Sequence, residues 1–408
     1  MKPIVSSLGM ITLLVCGMSA SSSAFTSSSQ DTSSGTNFIK VSLRVTEGKR
    51  FVDSLSLADF ELFDSGVPQK IEGLQFVRNG EVVRAEGVSE PASGRHFYLL
   101  FQMTESNSRI EEAIDHLFAS VLTPQDILTI VTPMKPYTLT PQAYGKKPKA
   151  EIAKEMNKLL RKDIQTSAGE YRSVLNDLKR IVTAIGGGSR FDADMESDSS
   201  NADFSLEFLL PRYKSTLIKL EAMRLIDQKR FLDFAASIKK SPGTNFVFLF
   251  YQREFRPEIS SATLTTLMSM NQDRDDILAG LQELFAFYKR DFSFDAARIR
   301  AAFADSGAVF NFIFMDREAK YEFGINMAEQ SQDAFRIFSD IVQATGGLID
   351  TSSNPGAGFK AVAQAATQYY VLTYLPTPPA GDGRFREITV KTKTGFYAVG
   401  HRAGYLDR

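Results

Sequence analysis

The stretch YLLFQMTES, residues 98 to 106, decides how the rest of the chain is read. With His96 and Phe97 it opens as a nearly continuous apolar run, the pattern of a strand covered on both faces. The run stops at Gln102, and Thr104, Glu105 and Ser106 follow. Where an open α/β domain grips a divalent metal at this place, the strand ends in Asp-x-Ser-x-Ser. Here the Asp position is Gln102, and Thr104 and Ser106 keep hydroxyls at the two Ser positions.

Outward from this stretch, Ile110, Ala113, Ile114, Leu117, Phe118, Val121 and Leu122 fall on one helical stripe that Pro124 closes. DILTIVTPM from Asp126 is the next apolar strand, and strand, helix, strand predicts a parallel sheet with a right-handed crossover. NFVFLFY (245 to 251) and AVFNFIFM (308 to 315) predict further central strands, and a fifth begins at Leu348. Long helical patterns at 146 to 161, 171 to 185 and 212 to 240 exceed what a minimal crossover needs.

Both chain ends are β in character. FIKVSLRV alternates from Phe38, and DFELFDSGVPQKI places two strands around the turn signal Asp64-Ser65-Gly66. At the far end YYVLTYLP (369 to 376), FREITVKT (385 to 392) and FYAVGHRAGY (396 to 405) are strands separated by Pro/Gly turns. The expected fold class is α/β: a Rossmann-type, mostly parallel sheet flanked by helices (95 to 368), inserted in a small β-sandwich built from N-terminal (37 to 80) and C-terminal (369 to 408) strands.

The 408 residues include 43% hydrophobic and 23% charged side chains at a net charge of -1, which fits a globular protein and disfavours nucleic acid as a partner. Lys2, the apolar run Ile4 to Val15 and the small residues Ala20 and Ala24 predict a signal peptide over 1 to 24, too short for a transmembrane span, followed by a Ser/Thr-rich linker over 25 to 36. The expected localisation is exported. Cys16 is the only cysteine, so it is either removed with the leader or serves as a lipid anchor.

DFELFDSGVPQKI, the strand at 97 to 102, ATGGLID, YYVLTYLPTPPAGDGRFREITVKTK and HRAGY together resemble the von Willebrand factor A-related domain family of Acidobacteria and similar bacteria. The resemblance spans most of residues 38 to 405; the two flanks are its specific part, and the long helical inserts depart from the family's pattern. It implies an exported protein whose A-type domain serves recognition or adhesion, with no enzymatic activity.

The resemblance also implies a Mg²⁺ site, and the residues present argue against it. A hard dication needs carboxylate charge to offset the loss of its water. Two amides stand where the carboxylates belong: Gln102, and Gln252 in Tyr251-Gln252-Arg253 where Ser/Thr-Asp-Gly is expected. Within GGGSRFDA, Ser189 occupies the place of the family's Thr. The expectation is a metal-free remnant with Gln102, Thr104, Ser106, Ser189 and Gln252 on a binding rim, no cofactor, and a protein partner.

The alternative is a metal-dependent adhesin. Asp192, Asp194, Glu196, Asp198 and Asp203 echo a calcium loop, though Ser197 stands where that loop needs Gly and a solvated acidic stretch is the plainer reading. Asp273, Asp275 and Asp276 read as a helix start, His96, His116 and His401 as structural histidines, and Gly346-Gly347 as a helix cap. None of these arrangements forms an acid/base or nucleophile set, so no enzyme is expected.

Overall fold

The computed structural model describes residues 38–89, 94–186, 206–224, 227–288, 295–317, 319, 325–377, 381–394 and 396–407. The chain starts with β1 (Ile39–Glu47), β2 (Arg50–Phe51), β3 (Phe60–Asp64), β4 (Val67–Gln69), β5 (Ile71–Arg78) and β6 (Glu81–Gly87). In β1 the alternate residues Val41, Leu43 and Val45 are buried, as the period-2 pattern requires.

A central block follows. It runs β7 (Arg95–Gln102), α1 (Ser108–His116, extended by a π turn at Leu117–Val121), β8 (Ile127–Val131), β9 (Pro136–Leu139) and α2 (Pro141–Tyr144). Next come α3 (Lys149–Ile185), α4 (Leu206–Arg224), α5 (Gln228–Lys239), β10 (Thr244–Gln252) and β11 (Phe255–Ile259). Then α6 (Ser261–Met270), α7 (Asp275–Tyr288), α8 (Ala296–Ser306), β12 (Val309–Met315), β13 (Ile325–Glu329), α9 (Gln332–Thr345), β14 (Ile349–Asp350) and α10 (Pro355–Ala365). The chain closes with β15 (Gln368–Tyr374), β16 (Phe385–Thr392), β17 (Ala398–His401) and β18 (Gly404–Leu406).

The expected fold class is corrected here. The described residues form a mixed α/β protein in which three of the four sheets are antiparallel throughout. Parallel pairing is confined to the sheet ordered β14-β12-β10-β7-β8-β9, and β9 makes that sheet mixed by joining antiparallel. A mostly parallel, Rossmann-type core is therefore not the architecture. The error has a physical cause: a continuous apolar run reports cover on both faces and says nothing about direction. β15 demonstrates this, since Tyr369 to Tyr374 are all buried although the strand pairs antiparallel with both β1 and β5.

Strands from the two chain ends interleave. One sheet runs β17-β1-β15-β5-β6, the other β18-β16-β3-β4, and Leu43, Leu62, Phe76, Leu372 and Val390 share a core between them. The opposite face of the first sheet, through Val77, Tyr369 and Val371, packs on the central block.

In the mixed sheet, alternation divides each central strand between two cores. Phe97, Leu99 and Phe101 of β7 join Phe246, Phe248 and Phe250 of β10 on one face; Tyr98, Leu100, Val247, Leu249 and Tyr251 line the other. Rings stack across the strands, with Phe101 and Phe250 centroids 4.6 Å apart. Each such buried ring contributes about 1.5–3 kcal/mol by removal from water.

The helical patterns at 146 to 161 and 171 to 185 turn out to be parts of one helix, α3, of 37 residues. Gly169 sits inside it in open space, and packing on both sides of that point outweighs glycine's weak helix preference. The first half of α3 covers the mixed sheet through Ile152, Leu160 and Ile164. Its second half forms a separate helical core with α4, α6 and α7 around Leu178, Leu217 and Leu281. Gly346, at φ 71, caps α9 where any Cβ would lie 2.6 Å from the His401 backbone.

Candidate functional site: the strand rim at Gln252

The carboxyl ends of β7, β10 and β12 lie side by side, with Tyr251 in register with Gln102 and Gln252 with Met315. Apolar neighbours hold these strands rigidly, so the residues at their ends are presented from a fixed base. Gln252 continues the parity of Phe248 and Phe250, whereas Gln102 continues that of Tyr98 and Leu100. The two amides thus leave their strands on opposite faces.

Gln252 reaches the loop after β7. Its Oε1 accepts hydrogen bonds from the Thr104 amide (3.1 Å), the Glu105 amide (3.2 Å) and the Thr104 hydroxyl (3.3 Å). A neutral side-chain oxygen thereby gathers the donors of the loop and ties it to β10. Thr104 is buried, Gln102 half-buried and Ser106 exposed, so of the expected rim residues only Thr104 and Gln252 are joined. Ser189 and the acidic stretch Asp192, Asp194, Glu196, Asp198 and Asp203 lie outside the described residues, as does Cys16.

Charges flank this pair that the sequence reading left out of the rim. Arg317 Nη2 lies 2.6 Å from Glu105 Oε1, clamping the same loop from the segment after β12. Arg253 lies between Asp316 (3.5 Å) and Glu329 (3.7 Å), its guanidinium 5.1 Å from the centre of the Phe314 ring. The sequence signal for Arg317 was the tripeptide Met315-Asp316-Arg317, charges set directly on the end of an apolar run.

This donor set does not fit a hard dication. An oxygen already receiving three donors has no lone pair to offer, and a guanidinium beside Glu105 repels a second cation. Among the described residues no three His, Cys, Asp or Glu side chains are placed to hold a metal ion.

His96 and His401 are held by hydrogen bonds within the fold. His96 Nε2 is 2.8 Å from the Thr129 hydroxyl, Nδ1 is 3.2 Å from the Ser241 hydroxyl, and the ring stacks on Tyr98 at 3.9 Å. Burial lowers its pKa from 6.5 to about 4. His401 accepts the Val390 amide at Nε2, and burial lowers its pKa too.

A group whose folded pKa is depressed binds protons more readily when unfolded. The stability His96 contributes is therefore complete above pH 6.5 and is lost as pH falls toward about 4. Partial solvent access reduces the effect to roughly 1–3 kcal/mol across that window. Urea unfolding of the wild type and His96→Phe at pH 7 and pH 4.5 will show the steeper loss in the wild type; equal losses would remove His96 as its source.

No protein-family model matches the chain, and no curated protein does. Among solved structures, the human COPII-coat protein Sec24c is similar over 76% of this chain and 43% of that one, at 6% identity and a TM-score of 0.29. The chain thus spans less than half of that protein's length. No helix among the described residues is long and apolar enough to cross a membrane. The functional reading rests on the rim.

Proposed function

We propose that this is an exported, non-enzymatic protein-binding or scaffold protein that meets its partner through the rim at Gln102, Thr104, Ser106 and Gln252, or through its added helices, without a divalent metal. The observation that carries the reading is the Gln252 carboxamide holding the Thr104–Glu105 loop at 3.1–3.3 Å. A side chain that organises the loop by accepting its amides does the positioning a coordinated cation would otherwise do, and leaves an amide and a guanidinium as the recognition groups. The resemblance of the flanking segments supports recognition as the role.

Affinity capture from native membranes, with and without EDTA, tests this. The same partner is expected in equal amount under both conditions, and Gln252→Ala, which releases three loop donors, is expected to reduce capture about tenfold. Loss of the partner on chelation, together with heat of Mg²⁺ or Ca²⁺ binding in calorimetry, would replace the reading with the metal-dependent adhesin.

A further inference from the structure

An open groove lies between α1 and the first half of α3, with a volume of about 790 Å³. Its apolar lining is Phe118 and Ala119 from the π turn after α1, and Ala150 and Ala153 from α3. One wall carries Glu111 and Asp115, one turn apart on α1. Both are already satisfied from inside, Glu111 by Arg161 (Nε at 2.9 Å) and Asp115 by the Asn157 amide at 3.0 Å. The other wall carries Lys154 and Lys158, also one turn apart, exposed and with no acid within ion-pair distance.

We infer that this groove is a docking surface for an acidic amphipathic helix of a partner protein. The inference rests on the protein-binding reading above and names the partner's chemistry. Three features select that occupant. The alanines of the lining let a second helix approach closely along a stripe of small or apolar residues. Two unpaired ammonium groups at i and i+4 match carboxylates repeating at the same spacing on the occupant. Four cations line the groove, Lys149, Lys154, Lys158 and Arg161, against the two acids Glu111 and Asp115, so its net charge is positive. A nucleic-acid backbone fits poorly, because Glu111 and Asp115 would face its phosphates along the α1 wall.

The probe is a fluorescently labelled synthetic helical peptide of sixteen residues, Ala and Leu on one stripe and Glu flanking it. Anisotropy with the full chain is expected to show saturable binding that weakens severalfold as salt rises from about 50 to 300 mM. Lys154→Glu with Lys158→Glu is expected to weaken it at least tenfold and to gain binding of the same peptide with Lys in place of Glu. Both lysines are exposed, so the double variant is expected to keep the wild-type melting curve. Unchanged affinity after charge reversal overturns the inference. So does equal binding of a peptide of residues 191–203 from this chain, acidic but without an apolar helical stripe, because the groove would then sense charge alone. The outcome is separable from the wider reading: a partner captured equally by wild type and the double lysine variant, but lost with Gln252→Ala, removes the groove and leaves the rim.

Discussion

Arg95→Ala will cost the protein about 3–5 kcal/mol of stability, the largest loss expected from any single substitution, because it strands a carboxylate where water cannot reach. The side chains of Arg95 and Asp126 are 0% and 2% exposed. They form a bidentate pair, Nε to Oδ1 at 3.0 Å and Nη2 to Oδ2 at 2.7 Å. The remaining guanidinium donors reach the carbonyls of Val121 (2.9 Å) and Ala366 (3.3 Å), and the cation lies 5.0 Å from the Phe97 ring centre. Asp126 also accepts the Thr123 amide at 2.6 Å.

One ion pair thus ties the start of β7, the end of the π turn, the entry to β8 and the end of α10 into a bolt beneath the sheet, opposite the rim. Since desolvating both ions is itself costly, Arg95→Met combined with Asp126→Leu is expected to be less damaging than either Arg95→Ala or Asp126→Ala. Urea titrations of the four chains decide it. A single-variant loss below about 1 kcal/mol would show that the pair is dispensable.

Asp64→Ala will destabilise the sandwich by about 3 kcal/mol or more, since two buried phenols lose their acceptor together. Tyr374 and Tyr405 both donate to Asp64 Oδ2 at 2.9 Å, and Arg386 Nε stands 3.6 Å from Oδ1. Asp64 and Tyr374 are 2% and 0% exposed. Burial first, then the neighbouring Tyr405 and Asp64, push the Tyr374 phenol far above its ordinary pKa, so it stays a donor at every physiological pH. Asp64→Asn keeps a carbonyl acceptor and is expected to lose about half as much. Hydrogen exchange at the β16 amides should quicken in Asp64→Ala and change little in Asp64→Asn; no change in either would show that the cluster does not hold the two sheets together.

This cluster also explains what the flanking motifs are. Asp64 belongs to DFELFD, Tyr374 to YYVLTY, Arg386 to FREIT and Tyr405 to HRAGY, so the most specific segments of the resemblance meet at one buried hydrogen-bonded point. Their specificity is structural, because the acid on β3 must meet two phenols and a guanidinium that lie more than 300 residues further along the chain.

Much of the rim was legible before the structure. That positions 102 and 252 carry amides is read from the residues, whereas the expectation of acids there came from the resemblance. That Gln102 and Gln252 leave opposite faces was within reach of strand parity, had the strand ends been placed to the residue. The Glu105–Arg317 clamp was out of reach, since 212 positions separate two residues that give no local sign of each other.

Burial was the property the sequence by itself determined: which runs would be covered on both faces and which would alternate. These depend on each segment's own side chains and the cost of leaving them in water or taking them out of it. Only the tertiary structure decided the direction in which covered strands pair, the joining of two helical patterns into the 37-residue α3, and the seating of Gln252 over the Thr104–Glu105 loop. Each of those is a relation between distant segments. Side-chain hydrophobicity is the same whichever way a neighbouring strand runs, so no local pattern can encode it.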